Sequence, residues 1–121
     1  MQHFTYAALI TQYAGEPILT VVEQDEAIRA EAEIRGVPIV QTFTDLNVKT
    51  DTSEARIGLL SAIDAVHRGE ISALIVASPD RISRVLEARR DIVGRQLGGA
   101  TCYGKILYLG QIAAPVAKAR V

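Results

Sequence analysis

The sequence predicts a three-layer α/β/α domain on a mostly parallel sheet of four to five strands. Three observations carry this expectation. Strand-like and helix-like segments alternate along the chain, their connections are short, and residues 73–77 form a continuous Ala-Leu-Ile-Val-Ala run of the kind a parallel sheet buries on both faces. Such strand–helix–strand units cross over right-handed, which makes the strands parallel and puts helices over the sheet. The length of 121 residues amounts to one domain, and 49% hydrophobic with 22% charged residues excludes a disordered tail or a coiled coil.

Each element has its own signal. His3 to Ile10 is short, apolar and rich in β-branched and aromatic residues, as a strand should be. From Thr20 to Arg35 the period becomes helical, with Val21, Ile28 and Ala32 on one face and acidic residues around the rest. Arg35-Gly36 is a helix stop, because a cation suits the last turn and glycine takes the left-handed cap. Val37 to Phe43 reads as a strand, and Asp45 to Ala55, polar and without period, as a loop. A second helix from Arg56 to Arg68 directs Leu59, Leu60, Ile63 and Val66 to the core and stops at Gly69. After the strand Ala73 to Ala77 comes Ser78-Pro79-Asp80-Arg81, then a third helix to Leu97 with Ile82, Val85, Leu86, Ile92, Val93 and Leu97 inward. Lys105 to Leu109 is the last strand. The domain is expected over residues 1–110, with 111–121 as a tail.

Composition narrows the function classes. Thirteen Lys and Arg against fourteen Asp and Glu leave a net charge of −1, which removes the general basic footprint of a self-sufficient DNA-binding domain. Any contact with nucleic acid must come from a local patch. A single cysteine, Cys102, and two histidines, His3 and His67, form neither a disulfide nor a spaced zinc set, so no metal and no cofactor is expected. There is no apolar stretch near the ~18 residues a membrane span needs, and no basic leader, so no membrane is expected and the cytoplasm is the expected compartment.

Ligands in open parallel sheets gather at the carboxyl ends of the strands. That selects the residues after Ile10, the segment from Asp45, and Ser78 to Arg84. Asp80-Arg81-Ile82-Ser83-Arg84 follows the buried strand directly, and residues 81–95 hold five arginines against Glu87 and Asp91, a local balance of +3. Guanidinium forks fit phosphate oxygens, and a neighbouring carboxylate can orient a fork. By itself the motif reads rather as a solvated helix face with Asp80 as N-cap.

Taken in order, Tyr6-Ala7, Gln24, Phe43-Thr44-Asp45, Arg56-Ile57-Gly58-Leu59, Arg68-Gly69-Glu70, the strand Ala73 to Ala77 and Asp80-Arg81-Ile82-Ser83-Arg84 resemble the catalytic domain of serine recombinases (resolvases and invertases). The resemblance covers roughly residues 3 to 110. It implies a resolvase-like fold in which a serine ending the first strand attacks a DNA phosphodiester while clustered arginines hold the phosphate. The positions that match are Gln24, Arg56, Asp80, Arg81 and Arg84, and Arg56, Arg81 and Arg84 are the implied phosphate and DNA contacts. The family's first-strand pattern is Tyr-Ala-Arg-x-Ser, whereas this chain has Tyr6-Ala7-Ala8-Leu9-Ile10. Ala8 therefore stands for an arginine and Ile10 for the nucleophile, and Val48-Lys49 stands where the family favours Ser-Gly.

An isoleucine cannot form a phosphoester. The expectation is a resolvase-like module without strand-transfer chemistry, DNA-linked through binding or assembly and present as a homodimer or larger homo-oligomer. One alternative keeps an active recombinase using Thr11, Ser78 or Ser83. Another is a small α/β protein that binds a phosphate ligand at the same strand ends.

Overall fold

The computed structural model describes residues 4–49, 56–91 and 106–109. Four strands, β1 (Tyr6–Tyr13), β2 (Ile39–Val48), β3 (Ala73–Val76) and β4 (Ile106–Tyr108), form one sheet in the order β2-β1-β3-β4. Every neighbouring pair is parallel. The helices are α1 (Leu19–Arg35), α2 (Ile57–His67) and α3 (Leu86–Asp91), and a 3-10 turn occupies Pro79–Arg81. The α/β class, the parallel sheet and its four strands are as the alternation of segments predicts.

Alternation along the two central strands builds two cores. Ala7 and Leu9 of β1, with Leu74 and Val76 of β3, pack with Phe43 and Ile82 against Leu59, Ala62, Ile63 and Val66 of α2. Tyr6, Ala8 and Ile10, with Ala73 and Ile75, pack against Ile28 and Ala32 of α1 on the other face. The sheet is thus covered on both sides, and β3, with β1 as far as Ile10, is apolar because it has no solvent face. Both long helices end in a Schellman turn: Gly36 (φ 70°) and Gly69 (φ 75°) take the left-handed conformation. Val37 N–H then reaches Ala32 O at 3.1 Å, and Glu70 N–H reaches Ala65 O at 3.0 Å.

Several boundaries differ from the sequence expectation, each for a physical reason. The first strand runs on to Tyr13, three residues beyond Ile10, because the polar groups of Thr11 and Gln12 find partners inside the fold. β2 continues through Asp45 to Val48, where a loop was expected. It is an edge strand on which Gln41, Thr42 and Thr44 are exposed, so its sequence reads as polar. Leu60, expected inward, is 39% exposed, and Ala62 and Ala65 hold the core positions. Val85 is exposed, and the helix after the arginine motif begins only at Leu86. Ile82 is buried, but from the linker after the 3-10 turn. Ile92, Val93, Leu97, Cys102, His3 and the tail 111–121 lie outside the described residues, as does the expected end of the third helix. Among the described residues no helix is long and apolar enough to cross a membrane.

Candidate functional site at the carboxyl ends of the strands

The three segments selected at the strand ends meet in space. At the end of β1, Thr11 and Tyr13 share the α2 face of the sheet, whereas Ala8 and Ile10 point into the α1 core. The face that meets the arginine motif is therefore lined by Thr11 and Tyr13.

At the centre lies Arg56, only 1% exposed and the largest fully buried side chain among the described residues. Its Nε donates to Asp45 Oδ2 at 3.0 Å and its Nη1 to Ile82 O at 2.8 Å. Nη2 donates to Thr11 Oγ1 at 2.6 Å and to Arg81 O at 3.1 Å. One guanidinium thus ties the end of β1, the end of β2 and the loop after β3. The Thr11 hydroxyl, itself 0% exposed, accepts from Arg56 and donates to Arg81 O at 2.9 Å.

Asp45 completes the clamp. Its carboxylate accepts Gly58 N–H at 2.7 Å and Leu59 N–H at 3.0 Å, which caps α2 from the neighbouring strand. A negative group is favoured there by the unpaired N–H groups and the helix dipole. Arg56, as N-cap, brings no capping side-chain bond of its own. Gly58 is explained by the same contact: a Cβ would sit 2.9 Å from both Asp45 Oδ1 and Thr44 O.

Gln24, also buried, uses its side-chain amide as a strand surrogate. Its Oε1 accepts Thr11 N–H at 3.1 Å and its Nε2 donates to Thr11 O at 2.7 Å. β3 pairs with β1 only from Tyr6 to Leu9, so Gln24 satisfies the backbone where β1 outruns it.

Arg81 and Arg84 form the outer layer. The Tyr13 ring has the Arg84 guanidinium carbon 4.0 Å and that of Arg81 5.8 Å from its centroid. The Tyr13 hydroxyl donates to Asp80 O, and the ring is 1% exposed. Arg81 Nη1 donates to Thr11 O at 3.1 Å and to Glu16 Oε1 at 2.6 Å. The Arg81 bond holds the Glu16 carboxyl below its usual range, so the pair stays ionised until the pH falls below ordinary carboxylate values. Arg84 is exposed. Asp80, exposed, accepts from the Ser78 hydroxyl, and Ser83 is buried with its Oγ accepting Val85 N–H at 3.1 Å.

All five matched positions are thus gathered around the end of β1, though not on one helical turn: Arg81 closes a 3-10 turn and Arg84 lies before α3. Arg56, expected to meet a phosphate, faces inward. Two residues of this site escaped the sequence reading. Tyr13 lacked basic neighbours in the chain and finds them only in the fold. Glu16 is not singled out by the sequence, although the Gly15-Glu16-Pro17 turn after a strand is an available signal.

In open parallel α/β sheets the carboxyl ends of the strands, where these arginines gather, are the usual place for a ligand. The family model described as "Resolvase, N terminal domain" matches residues 19–95, more than half of the chain, and the chain belongs to that family. No curated protein matches it. Among solved structures it is similar to the C-terminal catalytic domain of ISC1926 TnpA, an IS607-like serine recombinase (17% identity, 85% of this chain and 67% of that one, TM-score 0.64). It is also similar to the N-terminal catalytic domain of TP901-1 integrase (19% identity, 87% of this chain and 78% of that one, TM-score 0.66). At these identities the likeness is one of fold.

Substitutions in the clamp test its role in the fold. Arg56→Met should cost about 3–5 kcal/mol, because it leaves the buried Asp45 carboxylate without its cation. Gly58→Ala should destabilise by about 1–2 kcal/mol, even though alanine is the better helix former by about 1 kcal/mol, since the added methyl meets Asp45 and backbone. Denaturant unfolding measures both. A neutral Arg56→Met would mean that the guanidinium is not what joins the strand ends.

Proposed function

We propose that this resolvase-family domain binds the phosphate backbone of DNA without cleaving it and serves as a binding or assembly module. The observation that carries this reading is the state of the hydroxyls on the arginine face. Thr11 and Tyr13 are both buried, and each hydroxyl is already donating to a backbone carbonyl, of Arg81 and Asp80 respectively. Attack on phosphorus needs an accessible oxygen whose proton can leave to a base. Arg56, Arg81 and Arg84 alone would supply electrostatic stabilisation of a few kcal/mol, well short of the barrier to phosphodiester scission.

Phosphate contact falls to the exposed Arg84 and to Arg81 at the rim beside it. Arg56 supports them from behind through the carbonyls of Arg81 and Ile82. With a net charge of −1, the whole domain neutralises few phosphates, so binding is weak and sensitive to salt.

One observation favours a second reading. Ser78 is only half-buried, and its hydroxyl already donates to the exposed Asp80 carboxylate, the pairing of a nucleophile with a base. The two readings separate on a denaturing gel of protein incubated with supercoiled DNA. No covalent band and no nicking are expected; a band lost in Ser78→Ala, Thr11→Ala or Tyr13→Phe would establish cleavage and identify its nucleophile. In duplex titrations at low salt, Arg84→Ala should lose most of the binding; equal binding by this variant would make the cluster purely structural.

The assembly part of the reading rests on apolar side chains left exposed, Ile18, Leu19 and Val22 at the start of α1 and Ile57 and Leu60 on α2. A dimeric or larger mass is expected in light scattering at micromolar concentration, and a monomer at every concentration would remove it.

A further inference from the structure

The domain contains two arginine–carboxylate pairs at the strand ends, and they differ in depth. Asp45–Arg56 is sealed, its side chains 7% and 1% exposed. Glu16–Arg81 lies at the rim, with side chains 30% and 14% exposed and Oε1 2.6 Å from Nη1. The Glu16 carboxylate is also aimed by its own turn. Glu16 N–H donates to Tyr13 O at 3.0 Å, Gly15 takes φ 92°, and Glu16 Oε1 accepts Tyr13 N–H at 2.8 Å. This is a type II turn, which needs glycine at its third position. Gln12 Nε2 holds the turn from below, on Glu16 O at 2.8 Å.

A carboxylate and a phosphate present the same kind of acceptor to a guanidinium fork. Arg81 and Arg84 flank one tyrosine ring, and Glu16 is the anion set against them. We propose that Glu16 is a built-in counter-ion occupying the phosphate position at Arg81, so that a phosphate-bearing ligand docks by displacing it. The inference rests on the phosphate-binding reading above and adds its regulation. Displacement breaks the bonds of Glu16 Oε1 to Arg81 and to Tyr13 N–H at the rim, while Arg81 keeps its bond to Thr11 O and the Arg56 clamp is untouched. Glu16 therefore sets how tightly the site binds: a ligand must outcompete an intramolecular carboxylate, which selects multivalent phosphate over a single weak anion.

The test uses the full chain and four proteins: parent, Glu16→Gln, Glu16→Gln with Arg81→Gln, and Glu23→Gln as a charge control on the exposed side of α1. Glutamine at residue 16 keeps an oxygen for Tyr13 N–H, so the unfolding midpoint should stay near the parent's. Each is titrated with a mixed-sequence duplex and, in parallel, with inorganic pyrophosphate. Glu16→Gln should bind roughly five- to tenfold tighter than Glu23→Gln and steepen the salt dependence by about one phosphate contact, with the gain abolished in the double variant. A gain on duplex alone identifies a polymer backbone as the ligand; a gain shared by pyrophosphate identifies a compact phosphate. If Glu16→Gln merely matches Glu23→Gln while Arg84→Ala still weakens binding, the counter-ion role is wrong and the phosphate reading stands. If no protein binds either probe, Glu16→Gln included, both are wrong.

Discussion

The buried Arg56 guanidinium is the interaction on which this end of the domain depends. Charge removed from water is costly unless every partner is in place, and here the partners come from β1, β2 and the loop after β3. The clamp therefore works only when the sheet has assembled in the right register. Asp45 extends it to α2, since the same carboxylate that neutralises Arg56 caps the helix that follows it. Gly58 follows in turn, because only a residue without Cβ lets the helix come this close to Asp45 and Thr44.

With the inner layer locked in this way, the outer layer has a fixed base. The carbonyls of Arg81 and Ile82 are held from beneath, which sets the Arg81 guanidinium at the rim and Arg84 on the surface around Tyr13. Depth separates arginines that look alike in sequence: one that organises the fold, and those nearer the surface that we propose meet a phosphate. Membership of the resolvase family accounts for the scaffold; the burial of Thr11 and Tyr13 takes their hydroxyls out of solvent.

Much of this was legible in the chain. Ala73–Val76 is apolar because both its faces are covered, and Gly36 and Gly69 announce helix ends because left-handed backbone favours glycine. The arginine motif was visible as a cluster after a buried strand. What could not be read is what depends on long-range partners. Thr11 and Gln12 read as lying past the strand until Arg56 and Gln24 satisfy the one and Glu16 and Asn47 the other, and Asp45 looks like a loop residue until α2 needs a cap. Arg56 carries the same letter as Arg84, and nothing local says that one is sealed and the other exposed.

The central claim is that Arg56 is an internal clamp and Arg84 the surface contact. Nitrogen-15 NMR of the arginine side chains tests it most directly, because guanidinium N–H groups exchange with water at rates that report burial and hydrogen bonding. The account predicts that the Arg56 N–H signals persist as slowly exchanging resonances and stay in place when duplex DNA is added, while those of Arg84 exchange fast and shift. Fast exchange at Arg56, with a DNA-induced shift as large as that of Arg84, would contradict it.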